Sequence, residues 1–417
     1  MYRKLILDNG VRLVTERIPT LKSVTVGLWV DTGSRDESSA QAGYSHFIEH
    51  MFFKGTTTRS ATDISREIDA LGGEMNAFTT RETTTFYVKV LDQHLPKALD
   101  LLSDLFHRSR FGTKEIQKEK QVVLEEIRMV QDDPEDLVQE LHTELVMGRH
   151  PLGRPILGQE STIARLRRED LLDYIETHYR PQEMVLAVAG NFEQRQLEQT
   201  IARTFGRRRQ SATAAPRKRW PPEVCGGVMM KRKPLEQVHL CLGLKGIAAS
   251  HNDRYAAYVL NSVLGGSVSS RLFQEIREKR GLAYSIYSCL SGYSDGGTIT
   301  IYAGTRAREV ERVVDLIRRE VRKMATHGVE RVELKRTKDQ MKGSLMLSLE
   351  SSHSRMNKLA KDELIAGGHT SLEDMLSEIE AITEQQILRL AQDLLAPETM
   401  ALTVLGPLSA RQMAAMT

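Results

Sequence analysis

Cysteine is scarce in this 417-residue sequence. There are three, Cys225, Cys241 and Cys289, an odd number with no C-x-x-C spacing. That excludes a disulfide framework and argues against a thiolate metal site. A reduced, cytoplasmic setting is expected, with the cysteines as core filler. Long apolar runs are missing too: nothing approaches the ~18 residues that cross a bilayer, so no membrane partner is expected. Met1 to Gly10 lacks a hydrophobic leader core and reads instead as a strand entering an Asn9-Gly10 turn. A large excess of one charge is absent as well. A net charge of +3 calls for neither nucleic acid nor an anionic surface. Gly265-Gly266-Ser267 has no Gly-Lys-Ser/Thr after it, which excludes a phosphate loop and leaves a turn or substrate-contact loop.

What remains is an ordinary soluble composition, 40% apolar and 27% charged. The length exceeds one comfortable core and favours two domains. The chain also repeats itself. Gly27 in the apolar strand 23–33 and Gly243 in the strand 237–246 are 216 residues apart, as are Pro181 and Pro397, Met184 and Met400, and Gly190 and Gly406. Such regularity marks a duplication. Each half runs strands, helix, strands, helical stretch and a final strand. Residues 76–90 and 297–303 read as sheet strands, and 95–107 and 308–327 as helices. The expected fold class is α+β, two homologous sandwich domains of mixed, mostly antiparallel sheet with helices packed on it. The expected division is 1–206, a linker over 207–233, and 234–417. The basic, Ala/Ser/Pro-rich stretch from Gly206 to Pro222 reads as a solvated linker, with nucleic-acid binding by its Arg and Lys residues as the weaker alternative.

The most informative stretch is His46-Phe47-Ile48-Glu49-His50. Residues four apart on a helix share a face, so both imidazoles can meet one cation, with Glu49 beside any water it holds. Two imidazoles suit Zn²⁺. A zinc site that leaves room for water takes a third protein ligand from elsewhere. Between Glu119 and Val130, the residues Glu119, Val122, Val123, Glu126 and Val130 fall on one helical stripe. Two carboxylates on an otherwise apolar face need a cation or donors opposite them. Glu125 lies about 100° round the helix and is expected in solvent. The competing readings are a surface helix with solvated histidines and a coincidental acidic pair. His94, His107, His150 and His239 show no ligand spacing.

H-x-x-E-H, the reverse of the commoner H-E-x-x-H, is an inverzincin signature. Followed by Glu126 76 residues after His50, with Glu119 seven before it, it resembles the M16 metallopeptidases (pitrilysin, insulin-degrading enzyme, mitochondrial processing peptidase). The likeness covers essentially the whole chain, and the length is that of the short bacterial branch. The resemblance implies one Zn²⁺ per chain held by His46, His50 and Glu126, with Glu49 as base and Glu119 as the carboxylate behind the ligands. It implies that a peptide substrate adds as a strand near Asn76 and Ala77. Arg277 and Tyr284 resemble the pair that reaches the active site from the second domain. Asp136 and Glu140, one turn apart, match positions that hold a basic residue near the cut; a solvated acidic face is the competing reading. The family further implies a closed chamber of four such units, hence a homodimer or a heterodimer with a related chain, with Arg277 and Tyr284 acting in trans. The alternatives are a catalytically silent peptide-binding or structural subunit of the same fold, and a zinc- or nucleic-acid-binding module.

Overall fold

The computed structural model of the chain describes residues 2–206, 219–366, 368–396, 400–409 and 412. Residues 207–218 of the expected linker lie outside them, and its remainder, 219–233, contains a strand. The chain forms two compact units, each built on one sheet.

The first sheet has six strands: β1 (Tyr2–Ile6), β2 (Arg12–Arg17), β3 (Ser23–Val30), β4 (Glu74–Thr79), β5 (Thr84–Leu91) and β6 (Met184–Gly190), in the order β1-β2-β6-β3-β5-β4. All pairs are antiparallel except β2 with β6. The Asn9-Gly10 turn joins β1 and β2, with Gly10 at φ 94. The expected strand region 76–90 is a hairpin, broken by a turn at Thr80 to Thr83 whose own side chains satisfy its backbone: Thr80 Oγ1 accepts from the N–H of Glu82 and Thr83. β4 is an edge strand.

The central strands are apolar on both sides, so both faces must be covered. Helices α1 (Tyr44–Phe52), α2 (Ala61–Ala70), α3 (Leu95–Arg108) and α4 (Thr113–Asp132) contribute to the core on one face, with Val24, Val26, Leu28, Leu186 and Val188. On the other face lie Trp29, Val185, Ala187 and Ala189, covered by Met356, Leu359 and Ala360 of helix Ser352–Lys361. That helix comes from the second half of the sequence.

The second sheet orders β7 (Gly227–Arg232), β8 (Val238–Gly246), β9 (Ala283–Gly292), β10 (Gly297–Thr305) and β11 (Ala401–Gly406) as β7-β11-β8-β10-β9. This is the first sheet's order without β1. One face carries Leu240, Leu242 and Leu244 against helices Arg254–Leu264 and Val310–His327. The other carries Cys241, Tyr302 and Leu405 against Leu137 and Val138 of helix α5 (Pro134–Met147), which comes from the first half. The units are therefore Met1–Arg128, Arg154–Lys218 and Leu347–His369, and Met129–Gly153, Arg219–Met346 and Thr370–Thr417. They differ from the expected cut at 1–206 and 234–417 because each half gives one helix to the other half's sheet.

The repeated glycines explain how those helices fit. A Cβ on Gly27 would come within 2.4 Å of Met356 Sδ, and one on Gly243 within 2.5 Å of His142 Nε2 and 2.7 Å of Val146 Cγ2. Both close approaches require a missing side chain at the same place on β3 and on its counterpart β8.

Candidate metal centre

Helix α1 buries Phe47, Ile48, Met51 and Phe52, each at most 2% exposed, which fixes its rotation against the sheet. His46, Glu49 and His50 then occupy the opposite face. The two Nε2 atoms stand 3.2 Å apart. Glu126 Oε2, from α4, lies 3.8 Å from His46 Nε2 and 3.7 Å from His50 Nε2. One ligand atom from each of the three residues lies within 4.8 Å of the others, and this is the one such His/Cys/Asp/Glu group among the described residues.

These residues fit a zinc ion. Tetrahedral bonds of ~2.0–2.1 Å put ligand atoms roughly 3.3 Å apart, close to the separations seen. Glu126 Oε2 is buried with no hydrogen-bond partner, an expensive state for a carboxylate oxygen unless a cation faces it. Burial, and then the neighbouring His50, push His46 down to about 3, which keeps its ring neutral and able to ligate. On His50 burial acts downward too, but its hydrogen bond to Glu119 and the charges of Glu126, Glu119 and Glu49 outweigh it and raise the ring.

Behind the histidines, Glu119 bridges two partners. Its Oε1 is 2.8 Å from His50 Nδ1 and its Oε2 is 2.8 Å from Lys54 Nζ. Burial would raise this carboxyl, but its bonds to His50 and Lys54 hold it below the usual range. Glu49 accepts a 2.5 Å bond from Thr79 Oγ1 at the end of β4. Burial raises Glu49, against the pull of Thr79 and His50.

The stripe on α4 is narrower than its sequence suggests. Ile116, Glu119, Val123 and Ile127 are buried, whereas Val122 is 43% exposed beside Glu126, and Glu125 is in solvent with Arg128. The buried face is centred about one residue round the helix, which leaves Glu126 at its open margin. Asn76 and Ala77 sit on the edge strand, where the Ala77 N–H is bonded to Asn76's own Oδ1 at 2.8 Å. Ala77 and Thr79 share the face of β4 that meets α1.

Arg277 and Tyr284 belong to the second unit and are together there. The Arg277 guanidinium lies between two rings, 4.7 Å from Phe273 and 5.0 Å from Tyr284. Tyr284 is 79% exposed on β9, a strand residue but not a core one. The pair lines a cavity of about 330 Å³ with Gln237 and Arg306. Asp136 is exposed in the first turn of α5, and burial with the charges of Asp133 and Glu135 raises its carboxyl. Glu140 follows one turn on and is half-buried.

Sequence reasoning missed three supports: Lys54, Thr79 as partner of Glu49, and Glu37, which binds the first amides of α1. Only Lys54 left a signal, its spacing of four residues from His50, although it lies just past the end of α1.

At the 216-residue offset the counterparts of His46, Glu49, His50 and Glu126 are Ser262, Gly265, Gly266 and Lys342. None of the four is a His or a carboxylate: Gly265 O accepts from the Ser288 N–H of β9, and Lys342 pairs with Asp339 and Glu380.

Comparison with known proteins agrees with this asymmetry. Residues 12–160 match the model of Insulinase (Peptidase family M16), and residues 165–341 that of the Peptidase M16 inactive domain. The chain is a member of peptidase family M16. It is 43% identical over 407 residues to the uncharacterized zinc protease YmxG of Bacillus subtilis, covering 98% of each chain. It is 41% identical to the uncharacterized zinc protease SCO5738 of Streptomyces coelicolor, covering 98% of this chain and 90% of that one. These relatives are of the short bacterial M16 type. Its fold matches a protease from Helicobacter pylori (TM-score 0.89, 22% identity, 98% and 99% of the two chains) and an M16 inactive-domain structure from Pseudomonas fluorescens (TM-score 0.91, 20% identity, 98% and 99%). Among the described residues of this M16 protein, no helix is long and apolar enough to cross a membrane.

Proposed function

We propose that this M16 protein is a zinc-dependent endopeptidase that hydrolyses peptides or unfolded polypeptide segments. The observation that carries the reading is the convergence of His46, His50 and the unpartnered Glu126 Oε2, with Glu49 on the same face. All four groups are present, which speaks against a silent subunit.

His46, His50 and Glu126 would hold the ion. When bound, zinc acidifies water and polarises a carbonyl. The rest belongs to the chain. An extended substrate displaces the Asn76 side chain from the Ala77 N–H and adds to the edge strand β4. Glu49, aimed by Thr79, takes a proton from the attacking water and delivers it to the leaving amine. Glu119 holds His50 in one tautomer and orientation. Tyr284 is the hydrogen-bond donor for the developing oxyanion, and Arg277 orients substrate carbonyls. In this reading the work is done in a closed chamber completed by a second chain, either a copy or a relative. Asp136 and Glu140 favour a basic residue near the cut, and the protein acts in the cytoplasm.

Glu49→Gln tests the core of the proposal. Zinc content should stay at the wild-type level while cleavage of a fluorogenic peptide library falls by at least about a thousandfold. A variant that cleaves at the wild-type rate would refute the assignment.

A further inference from the structure

Glu37 is 3% exposed, and its carboxylate oxygens are both committed to the helix that carries the histidines. Oε2 accepts from the Gly43 N–H at 2.8 Å and Oε1 from the Ser45 N–H at 2.7 Å. The helix has no side-chain cap of its own at Gly43. A neighbouring Ser or Asp could cap it at far less desolvation cost than a buried acid six residues away. The same short segment is fixed at its other end. The Ser34 and Arg35 N–H groups donate to Thr80 O and Arg81 O at 3.3 and 2.8 Å. Arg35 pairs with Glu82 at 2.6 Å, their side chains only 2% and 12% exposed. Thr80 to Glu82 form the turn between β4 and β5, immediately after the Thr79 that bonds Glu49. Residues 34–37 therefore tie the tip of the substrate-edge hairpin to the first turn of α1.

We propose that Glu37, backed by the Arg35–Glu82 pair, is a positioning residue. It sets the height and rotation of α1 against the β4–β5 hairpin, and so aims His46 and His50 at Glu126 and Glu49 at Thr79. Neither Glu37 nor Arg35 belongs to the His46–His50–Glu126 group. The inference rests on the zinc-peptidase reading above.

The test measures zinc affinity of the metal-free protein by competition with a chromophoric chelator, together with kcat, KM and Tm. Glu37→Gln keeps the shape but offers one acceptor oxygen for two amides. It should bind zinc about tenfold more weakly and lose about tenfold in kcat, with KM within about twofold. Arg35→Gln should shift the same quantities in the same direction, and it serves if Glu37→Gln does not fold. Glu37→Asp, which keeps both oxygens, should recover part of the loss. Glu363→Gln is the control. It breaks the pairs of buried Glu363 with Lys4 and Arg12 on the far strands of the same sheet, at 2.8 and 3.1 Å, and should lower Tm with zinc affinity unchanged. Wild-type zinc affinity and kcat in both Glu37→Gln and Arg35→Gln would overturn the inference. So would a loss of zinc affinity in Glu363→Gln proportionate to its loss of Tm. If the wild-type protein itself binds no zinc, the peptidase reading falls and this inference with it.

Discussion

Glu119 Oε1 lies 2.8 Å from His50 Nδ1, on the side of the ring away from the Nε2 that faces His46 and Glu126. With Nδ1–H committed to the carboxylate, Nε2 is left with the lone pair a metal needs. Glu119→Gln should therefore weaken zinc binding by about 10–100-fold. Lys54→Met, which removes the second partner, should have a smaller effect in the same direction. A chelator competition series reads both. Equal zinc affinity in Glu119→Gln and wild type would detach Glu119 from the metal centre.

Asp136 and Glu140 lie one turn apart on α5, and Asp136 has Asp133 and Glu135 beside it. A cationic side chain would relieve that crowding. The double variant Asp136→Asn with Glu140→Gln should lose about tenfold in kcat/KM on peptides with Arg near the cut and little on peptides without it. An unchanged Arg preference in a paired-substrate assay would remove these two residues from specificity.

Arg277 and Tyr284 sit in the unit that does not hold His46, His50 and Glu126. If they act across a dimer, mixing equal amounts of inactive His46→Ala chains and inactive Arg277→Ala chains should restore about a quarter of wild-type activity, because about half of the dimers are mixed and each of those has one competent site of its two. No recovery after verified subunit exchange would argue for action within one chain.

Gly27 and Gly243 offer a graded comparison. At Gly27 the obstacle is mainly the end of the flexible Met356 side chain, and at Gly243 the rigid ring of His142 together with Val146. Alanine should cost about 1 kcal/mol at position 27 and about 3 kcal/mol at 243. Urea denaturation measures both. Equal costs would mean that the ring yields as readily as the thioether.

His142 supplies an acid limb. Burial pushes it down to about 4, against an ordinary value near 6.5; its Nδ1 is bonded to Thr403 and its Nε2 has no partner. Between pH 6.5 and 4 the unfolded chain takes up this proton and the folded one does not. Stability present above pH 6.5 is therefore lost as pH falls through that window, by at most about 3 kcal/mol. His142→Gln should be less stable than wild type at pH 7, and the difference should shrink toward pH 4. A constant difference across that range would assign the acid limb to other groups.

The cluster of candidate ligands was legible because His46, His50 and the Glu119–Glu126 pair obey helical spacing, which survives any tertiary arrangement. The duplication was legible because glycines at close approaches cannot drift. Less could be read where partners come from far along the chain. Nothing in the periodicity of α5 or of helix 352–361 says which sheet it will cover. Glu37 looks like any acid in a loop until α1 is placed above it. The turn at residues 80–83 carries no Gly, Pro or Asn, so β4 and β5 read as one stretch.

The traded helices have a consequence for the molecule's history and for anyone who would cut it. A break anywhere between residues 206 and 219 yields two fragments, each lacking the cover for one side of its own sheet and carrying a helix with nothing to lie on. The repeat without the histidines is thus not dispensable: it roofs its twin.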